Sequence, residues 1–197
     1  MTITAEAPET TDIDTQFSTR EVPWMKLGKL ADHALTAEAA AKAGGLDFTV
    51  SLKPFSYEHG NKWIVADKRL AVVRDDTGEL FDVVSAAVYQ ALQYSEAFDF
   101  MDTVDSRYVA AGTLRGGRQG FLVVKAPFSL DVPGDPHDLY AVLRTSHDRS
   151  RGIEVAVMPL RERCMNQLTL SSFTKGVPHR WSIKHSHNMK AKLAEAK

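Results

Sequence analysis

Residues 46–53 read LDFTVSLK, and this alternation of apolar and polar residues decides the fold class. A period of two is typical of a strand that buries one face, and the proline at position 54 predicts where the strand ends. Just upstream, Thr36 is followed by AEAAAKA and then by two glycines. An N-cap residue, strong helix formers and a terminal glycine predict a short helix there.

The rest of the chain repeats short strands joined by turns. Turn residues at 75–78, 115–118 and 147–152 separate apolar runs that predict hairpins. The expected strands are 62–66, 69–74, 80–84, 108–114, 120–125, 139–146, 153–158 and 180–185, with a loop over 127–136 and helices over 95–105, 162–170 and 188–197. Because strands outnumber helices and most follow short turns, we predict an α+β fold, with a largely antiparallel sheet with hairpins packed by a few helices.

Length and composition predict one globular domain. The chain has 197 residues, 44% of them hydrophobic and 25% charged, which are values of a folded domain. We predict that residues 1–20 form a flexible acidic tail and that residues 21–197 form the domain. No apolar run is long enough for a membrane helix, the N-terminus lacks a signal-peptide pattern, and Cys164 is the single cysteine. We therefore expect a cytoplasmic protein with no disulfide framework.

Charge is distributed unevenly along the chain. Residues 141–197 carry 11 Lys and Arg against 4 Asp and Glu, a balance of +7, whereas residues 1–140 carry a balance of −8. This asymmetry favours a polyanionic partner over a neutral small molecule. The alternative is that the two charged faces balance each other in the fold, which agrees with a pI near 6.7.

The tip of the predicted hairpin at 115–118 is a candidate phosphate site. Arg115 and Arg118 flank Gly116 and Gly117, and glycine lets backbone amides approach a phosphate closely. The tip is no P-loop, because the Gly-Lys-Ser/Thr ending is missing. The alternative is a surface hairpin with solvated arginines.

Two further basic segments are candidates for nucleic-acid contact. The turn at 147–151 offers Arg149 and Arg151 beside a His-Asp pair, and the alternative there is a plain charged turn. In the last predicted strand Arg180, Trp181 and Lys184 place an aromatic ring among cations, as single-strand binders do. The alternative for the tryptophan is a place in the core, which we also expect for most other aromatic residues.

Catalytic and metal sites are weakly supported. Adjacent His147 and Asp148 would need a nucleophile or metal brought near them by the fold. His185 and His187 share one face of a predicted strand and could ligate zinc, but two histidines are fewer ligands than a zinc site needs. We expect Cys164 to be a buried residue that packs in the core. We predict no catalytic residues, no metal and no cofactor.

Seven short segments, in chain order, are landmarks of a known family: Pro23-Trp24 with Leu27-Gly28, then residues 45–50, 74–78, 111–118, 146–148, 163–168 and 183–186. Over residues 22–190 the chain resembles the phage/plasmid-like family called domain of unknown function 932. Members of that family often run longer, so the resemblance implies a short member or a truncated chain. Arg149 stands where the family usually has a glycine. The layout also resembles, more loosely, that of Rad-fifty-two-type single-strand annealing proteins.

Together these observations predict a phage-encoded protein that binds single-stranded nucleic acid, and more specifically a DNA-annealing or recombination factor. We expect it to act as a homo-oligomer larger than a dimer, with single-stranded DNA as partner and no membrane association. Complementary acidic and basic portions could link copies head to tail. The alternative is a phage structural or interaction protein that self-assembles without nucleic acid.

Overall fold

The computed structural model describes residues 13–19, 29–31, 36–103, 107–132, 135–160, 179–186, 188–189 and 191–192. Within these ranges, ten strands form two sheets: β1 Ile13–Thr19, β2 Lys29–Ala31, β3 Val50–His59, β4 Lys62–Arg74, β5 Leu80–Ser85, β6 Arg107–Leu114, β7 Gln119–Val132, β8 Asp135–Ser146, β9 Ile153–Leu160 and β10 His179–Ile183. Two helices, α1 Ala37–Ala43 and α2 Tyr94–Phe98, and a 3-10 turn, Asp99–Thr103, complete the order.

The larger sheet has the strand order β10-β9-β8-β7-β6-β1-β2, and the smaller one the order β3-β4-β5. All described strand pairs are antiparallel except β1 with β2. The predicted α+β class with a largely antiparallel sheet is therefore confirmed. It follows from the short turns, since a hairpin connection forces neighbouring strands to run in opposite directions.

The smaller sheet corrects two strand predictions. β3 begins at Val50 and continues through Pro54, and β4 is one strand rather than two. The proline is tolerated because β3 is an edge strand and its register shifts between Pro54 and Ser56. The alternation at 46–50 still predicts which side chains are buried, since Leu46 and Phe48, which precede the strand, are both buried.

The larger sheet corrects the loop predicted over 127–136. β7 extends to Val132 and β8 already starts at Asp135. The β7–β8 register shifts between Lys125 and Ser129, so that Pro127 falls at an irregularity and its missing N–H leaves no gap in the regular ladder. The hairpins around 115–118 and 147–152 form as predicted.

Both helices are short and capped by side chains. The Thr36 hydroxyl accepts the Ala39 N–H at 3.3 Å, as the N-cap pattern predicts, and Asp102 accepts the Ala37 N–H at 3.0 Å. The helix predicted over 95–105 is instead α2 followed by the 3-10 turn, with residues 104–106 outside the description. Asp102 lies in that turn, where it caps α1 and also accepts a hydrogen bond from Tyr108.

The core lies between the helices and the two sheets. Leu46, Leu92 and Phe98 are almost fully buried, and they pack in one cluster with Leu122 and Leu143 of the larger sheet. Val72 and Val84 join the smaller sheet to the same cluster. The two sheets are thus held together by one hydrophobic core, which also positions the turns at its rim.

Some predictions fall on residues outside the description, namely the segment 22–28, the helix over 162–170, Cys164 and most of the helix over 188–197. Of the predicted tail, Ile13–Thr19 form β1 and pair with β6, and residues 1–12 and 20 lie outside. Within the described ranges, no helix has both the length and the apolar character needed to cross a membrane.

Candidate nucleic-acid interface

Two of the predicted basic turns lie side by side at one end of the larger sheet. The β7–β8 register pairs Gln119 with Ser146, which brings the turn 115–118 next to the turn 147–152. The His147 N–H donates to the Arg118 carbonyl at 2.8 Å and joins the two turns directly. We call these two turns, residues 115–118 and 147–152, the arginine edge.

The arginine edge has left-handed backbone at four positions. The φ angles are 55° at Arg115, 67° at Gly116, 85° at Gly117 and 58° at Arg149. Left-handed φ favours glycine, which stands at two of these four positions. Arginine at the other two positions accepts a modest strain.

Gly117 is also held by its packing. A Cβ added there would lie 3.1 Å from the Phe48 ring and 3.0 Å from the Arg74 guanidinium. The Tyr94 hydroxyl donates to the Gly117 carbonyl at 2.8 Å. The hairpin tip is therefore anchored on the aromatic core rather than projecting freely into solvent.

Carboxylates orient most guanidiniums of the arginine edge. Arg118 pairs with Glu79 at 2.7 Å and lies over the Phe81 ring at 5.2 Å. Arg149 makes a two-pronged contact with Asp82, and this hydrogen bonding raises the pKa of the Arg149 guanidinium. Asp82 lies in β5 and Glu79 immediately precedes that strand, so the smaller sheet and the turn before its last strand fix the direction of two predicted arginines.

The remaining two arginines of the edge differ from each other. Arg151 pairs with Glu154 at 3.3 Å and is mostly covered. Arg115 is exposed, and no ion pair involves it among the residues that the structure describes. The edge is thus nearly balanced in charge, and only part of its positive charge is open to a ligand.

A pocket of about 480 Å³ opens beside the turn 147–152. Its lining comes from that turn, from the end of β10 and from the segment after β5, and it includes Arg149, Arg151, Lys184, Ser150 and Ser182. Three predicted residues, Arg149, Arg151 and Lys184, therefore meet although they are up to 35 positions apart. Tyr89, from the segment after β5, and His185, just after β10, also line the pocket.

The other predicted residues do not line this pocket. Arg115, Gly116, Gly117 and Arg118 belong to the neighbouring hairpin tip. Trp181 lies on β10 with 37% of its surface exposed, so the core alternative is wrong for it. Arg180 pairs in the β-ladder opposite Ala156, and its side chain is outside the description.

Aromatic stacking forms one side of the pocket. The Tyr89 and His185 rings lie 5.7 Å apart and nearly parallel. Burial lowers the pKa of His185 and raises the pKa of Tyr89, so both rings are uncharged at neutral pH. Among the described residues that line the pocket, the charged groups are Arg149, Arg151 and Lys184 against one carboxylate, Glu154, and Arg149 also pairs with Asp82 outside the lining.

His147 lies behind the turn in an aromatic cage. Its side chain is fully buried, with Tyr94 at 4.2 Å, Phe48 at 6.1 Å and Phe81 at 6.2 Å between ring centroids. Neither ring nitrogen has a hydrogen-bond partner among the described residues. Burial, aided by the nearby His185, lowers the pKa of His147 to about 3.

The neighbouring Asp148 does not act as the hydrogen-bond partner of His147. It accepts bonds from the backbone and hydroxyl of Ser150 instead, which shapes the turn. His147 thus behaves as an uncharged packing group at neutral pH. For zinc, the described part of the chain contains no cluster of three metal-binding side chains, and His187 lies outside it; metal independence stays a prediction.

Sequence reasoning missed the hairpin formed by β3 and β4. Trp63 and Tyr57 belong to the aromatic residues of which we expected most to fill the core, yet they are 73% and 46% exposed. Both strands extend past the core, so their tips have nothing to pack against. The signal was present in Trp63-Ile64-Val65, where three consecutive apolar residues must put at least one side chain on the outer face.

Comparison with known proteins gives one family. The sequence model described as "Domain of unknown function (DUF932)" matches residues 81–197, which contain the whole arginine edge and the pocket. No curated protein and no solved structure matches the chain. The looser layout resemblance to Rad-fifty-two-type annealing proteins stays a prediction.

Proposed function

Since this chain belongs to the DUF932 family, whose description assigns no activity, we propose from the site itself that it binds single-stranded nucleic acid. The observation that carries the proposal is the convergence of Arg149, Arg151 and Lys184 on one open pocket. Guanidinium and ammonium groups are the side chains that contact backbone phosphates.

The polar lining suits a phosphate in further ways. Ser150 and Ser182 place hydroxyl groups around the pocket, and hydroxyls commonly donate to phosphate oxygens. Tyr89 and His185 stack on each other where they line the pocket, and both rings are uncharged at neutral pH. The polar part of the lining therefore suits the phosphate of a nucleotide.

The ion pairs of the edge define how the phosphate would bind. Asp82 holds the Arg149 side chain, which lowers the ordering cost of a contact but also competes with the ligand. Replacing Asp82 by Asn keeps the shape and removes the competing charge. We therefore expect Asp82→Asn to bind an oligonucleotide several-fold more tightly, because one added phosphate interaction contributes about 1 kcal/mol.

The wider proposal is a phage-encoded annealing or recombination factor that works in the cytoplasm of a host cell as a homo-oligomer larger than a dimer. What supports it is the presence of sheet edges, since β10 ends the larger sheet and β5 ends the smaller one in the described chain. Edge strands pair readily with another copy. Arg115, Arg118, Arg149 and Arg151 would then face a continuous track for the strand.

The proposal is tested by fluorescence anisotropy of a labelled oligothymidine with matched variants. Arg149→Ala combined with Lys184→Ala is expected to weaken binding at least tenfold, because two phosphate contacts are lost. Lys42→Ala, which removes an exposed lysine on α1, is the control and should bind like the wild type. Equal affinities for all three proteins would contradict a site at the pocket.

Light scattering tests the oligomer separately. The proposal expects an assembly larger than a dimer, in the free protein or with oligonucleotide. A large assembly that binds no oligonucleotide would instead favour the phage structural or interaction protein considered from the sequence.

A further inference from the structure

The hairpin of β3 and β4 projects beyond the core between residues 53 and 69. Every residue in that range is exposed except Phe55 and Ala66, which are half-buried. Trp63 is 73% exposed, Val65 59%, Tyr57 46% and Ile64 37%. Four large apolar side chains exposed together on one element are unusual for a surface that contacts only water.

The strand register divides these side chains between the two faces of the hairpin. Tyr57 pairs with Ile64 and His59 pairs with Lys62, so these four residues share one face. Glu58 pairs with Trp63 on the other face, next to the pair of Ser56 and Val65. Tyr57 therefore lies one residue pair from the cation Lys62, whereas Trp63 is paired with the acidic Glu58.

The charges on the hairpin are mostly positive. Residues 53–69 contain Lys53, Lys62, Lys68 and Arg69 against Glu58 and Asp67, a balance of +2. Lys62, Lys68 and Arg69 make no ion pair among the described residues, in contrast to the arginines of the arginine edge. These cations are thus available to an anionic partner.

We infer that this hairpin is a second contact surface for single-stranded nucleic acid, on which bases stack on Trp63 and Tyr57 while Lys62, Lys68 and Arg69 contact phosphates. The inference rests on the proposed function and adds a site outside the residues 81–197 that the family model matches. Tyr57 shares its face with the unpaired cation Lys62, and Trp63 follows Lys62 in the strand and lies on the opposite face. Exposed rings near unpaired cations are the combination that sequence-tolerant single-strand binders use. A duplex fits less well, since its bases are already stacked.

A second copy of the chain suits the hairpin less well as partner. Two identical hairpins meeting face to face would bring Lys62, Lys68 and Arg69 of both copies together, and like charges in contact oppose association. A lipid surface also fits less well. Its apolar interior would favour one uniformly apolar face, whereas Glu58 lies directly opposite Trp63.

The test is anisotropy of a labelled oligothymidine at low salt with three variants of the full chain. Trp63→Ala is expected to weaken binding about tenfold or more, since stacking on one ring contributes about that much. Trp63→Phe keeps a ring and should recover most of the loss. Val65→Thr, which changes the neighbouring exposed apolar residue without removing a ring, is the matched control and should bind like the wild type.

The outcomes separate this inference from the proposed function. If the wild type binds no oligonucleotide, the proposed function fails and this inference with it. If the wild type binds and the Arg149→Ala, Lys184→Ala protein is weakened but Trp63→Ala is not, the inference alone is overturned. It is also overturned if Trp63→Ala reduces the oligomer size by light scattering, or reduces binding to anionic phosphatidylserine vesicles, while oligonucleotide affinity is unchanged. Because Trp63 is exposed, thermal unfolding of the variants should match the wild type and confirm that they fold.

Discussion

The buried His147 makes acid stability the sharpest prediction about the fold. Burial lowers the pKa of His147 to about 3, whereas an unfolded chain has a histidine pKa of about 6.5. Below pH 6.5 His147 therefore binds a proton in the unfolded state but stays neutral in the folded state. Stability is complete above pH 6.5 and falls as the pH decreases, until the pH reaches the folded pKa.

The magnitude follows from these two pKa values. Each pH unit below 6.5 costs about 1.4 kcal/mol for one proton, and integration from pH 7 to pH 5 gives about 2 kcal/mol from His147. His185 acts in the same direction, because burial also lowers its pKa. The surrounding rings of Phe48, Phe81 and Tyr94 offer no charge to offset this, and only Asp148 favours the protonated form.

The perturbation is His147→Phe, which suits the aromatic cage and removes the titrating group. Urea unfolding followed by circular dichroism at pH 7 and pH 5 gives the free energy of unfolding of each protein. The wild type should lose about 2 kcal/mol more than the variant between the two values. His185→Phe is the matched comparison, and this variant should still lose the stability that protonation of His147 costs between pH 7 and pH 5. Equal pH dependence in wild type and His147→Phe would refute the reasoning, whatever the absolute stability of the variant.

Three further predictions concern the hairpin tip, a helix cap and metal content. Gly117→Ala should destabilise the fold by about 1 kcal/mol or more, since position 117 has a left-handed backbone and packs on Phe48. Thermal unfolding would measure this loss against that of Gly60→Ala, because Gly60 is also left-handed but has open space around it. Thr36→Ala should cost about 1 kcal/mol through loss of the α1 N-cap, whereas Thr36→Ser should cost little, as urea titration would measure. Elemental analysis of protein purified without added zinc should find no stoichiometric metal; one zinc per chain would contradict this and implicate His185 with His187.

The fold class was predictable because its signals are local. The alternation at 46–50, the N-cap at Thr36 and the glycine-rich tip at 116–117 each act through neighbouring residues, and the structure keeps all three. Strand length was less predictable. Pro54 was expected to end a strand, but an edge position and a register shift accommodate it, and both are properties of the assembled sheet.

The candidate site was predictable only in part. Arg149 and Lys184 were identified by charge, but nothing local indicates that they line one pocket, because β10 reaches the turn 147–152 only through pairing with β9. Likewise, Asp82 belongs to the smaller sheet and Glu79 immediately precedes its strand β5, so their ion pairs with Arg149 and Arg118 depend on packing between the sheets. The exposure of Trp63 was not predicted, because hydrophobicity alone does not reveal that a hairpin extends beyond the core.

The measurement that tests the central claim most directly is the affinity of the wild-type protein for a labelled single-stranded oligonucleotide across a salt series. Three phosphate contacts, from Arg149, Arg151 and Lys184, predict a slope of log affinity against log salt of about −2, and steeper if the hairpin of β3 and β4 also binds. A matched duplex should bind more weakly than the single strand. Absence of binding at low salt, or an affinity that does not change with salt, would contradict the account.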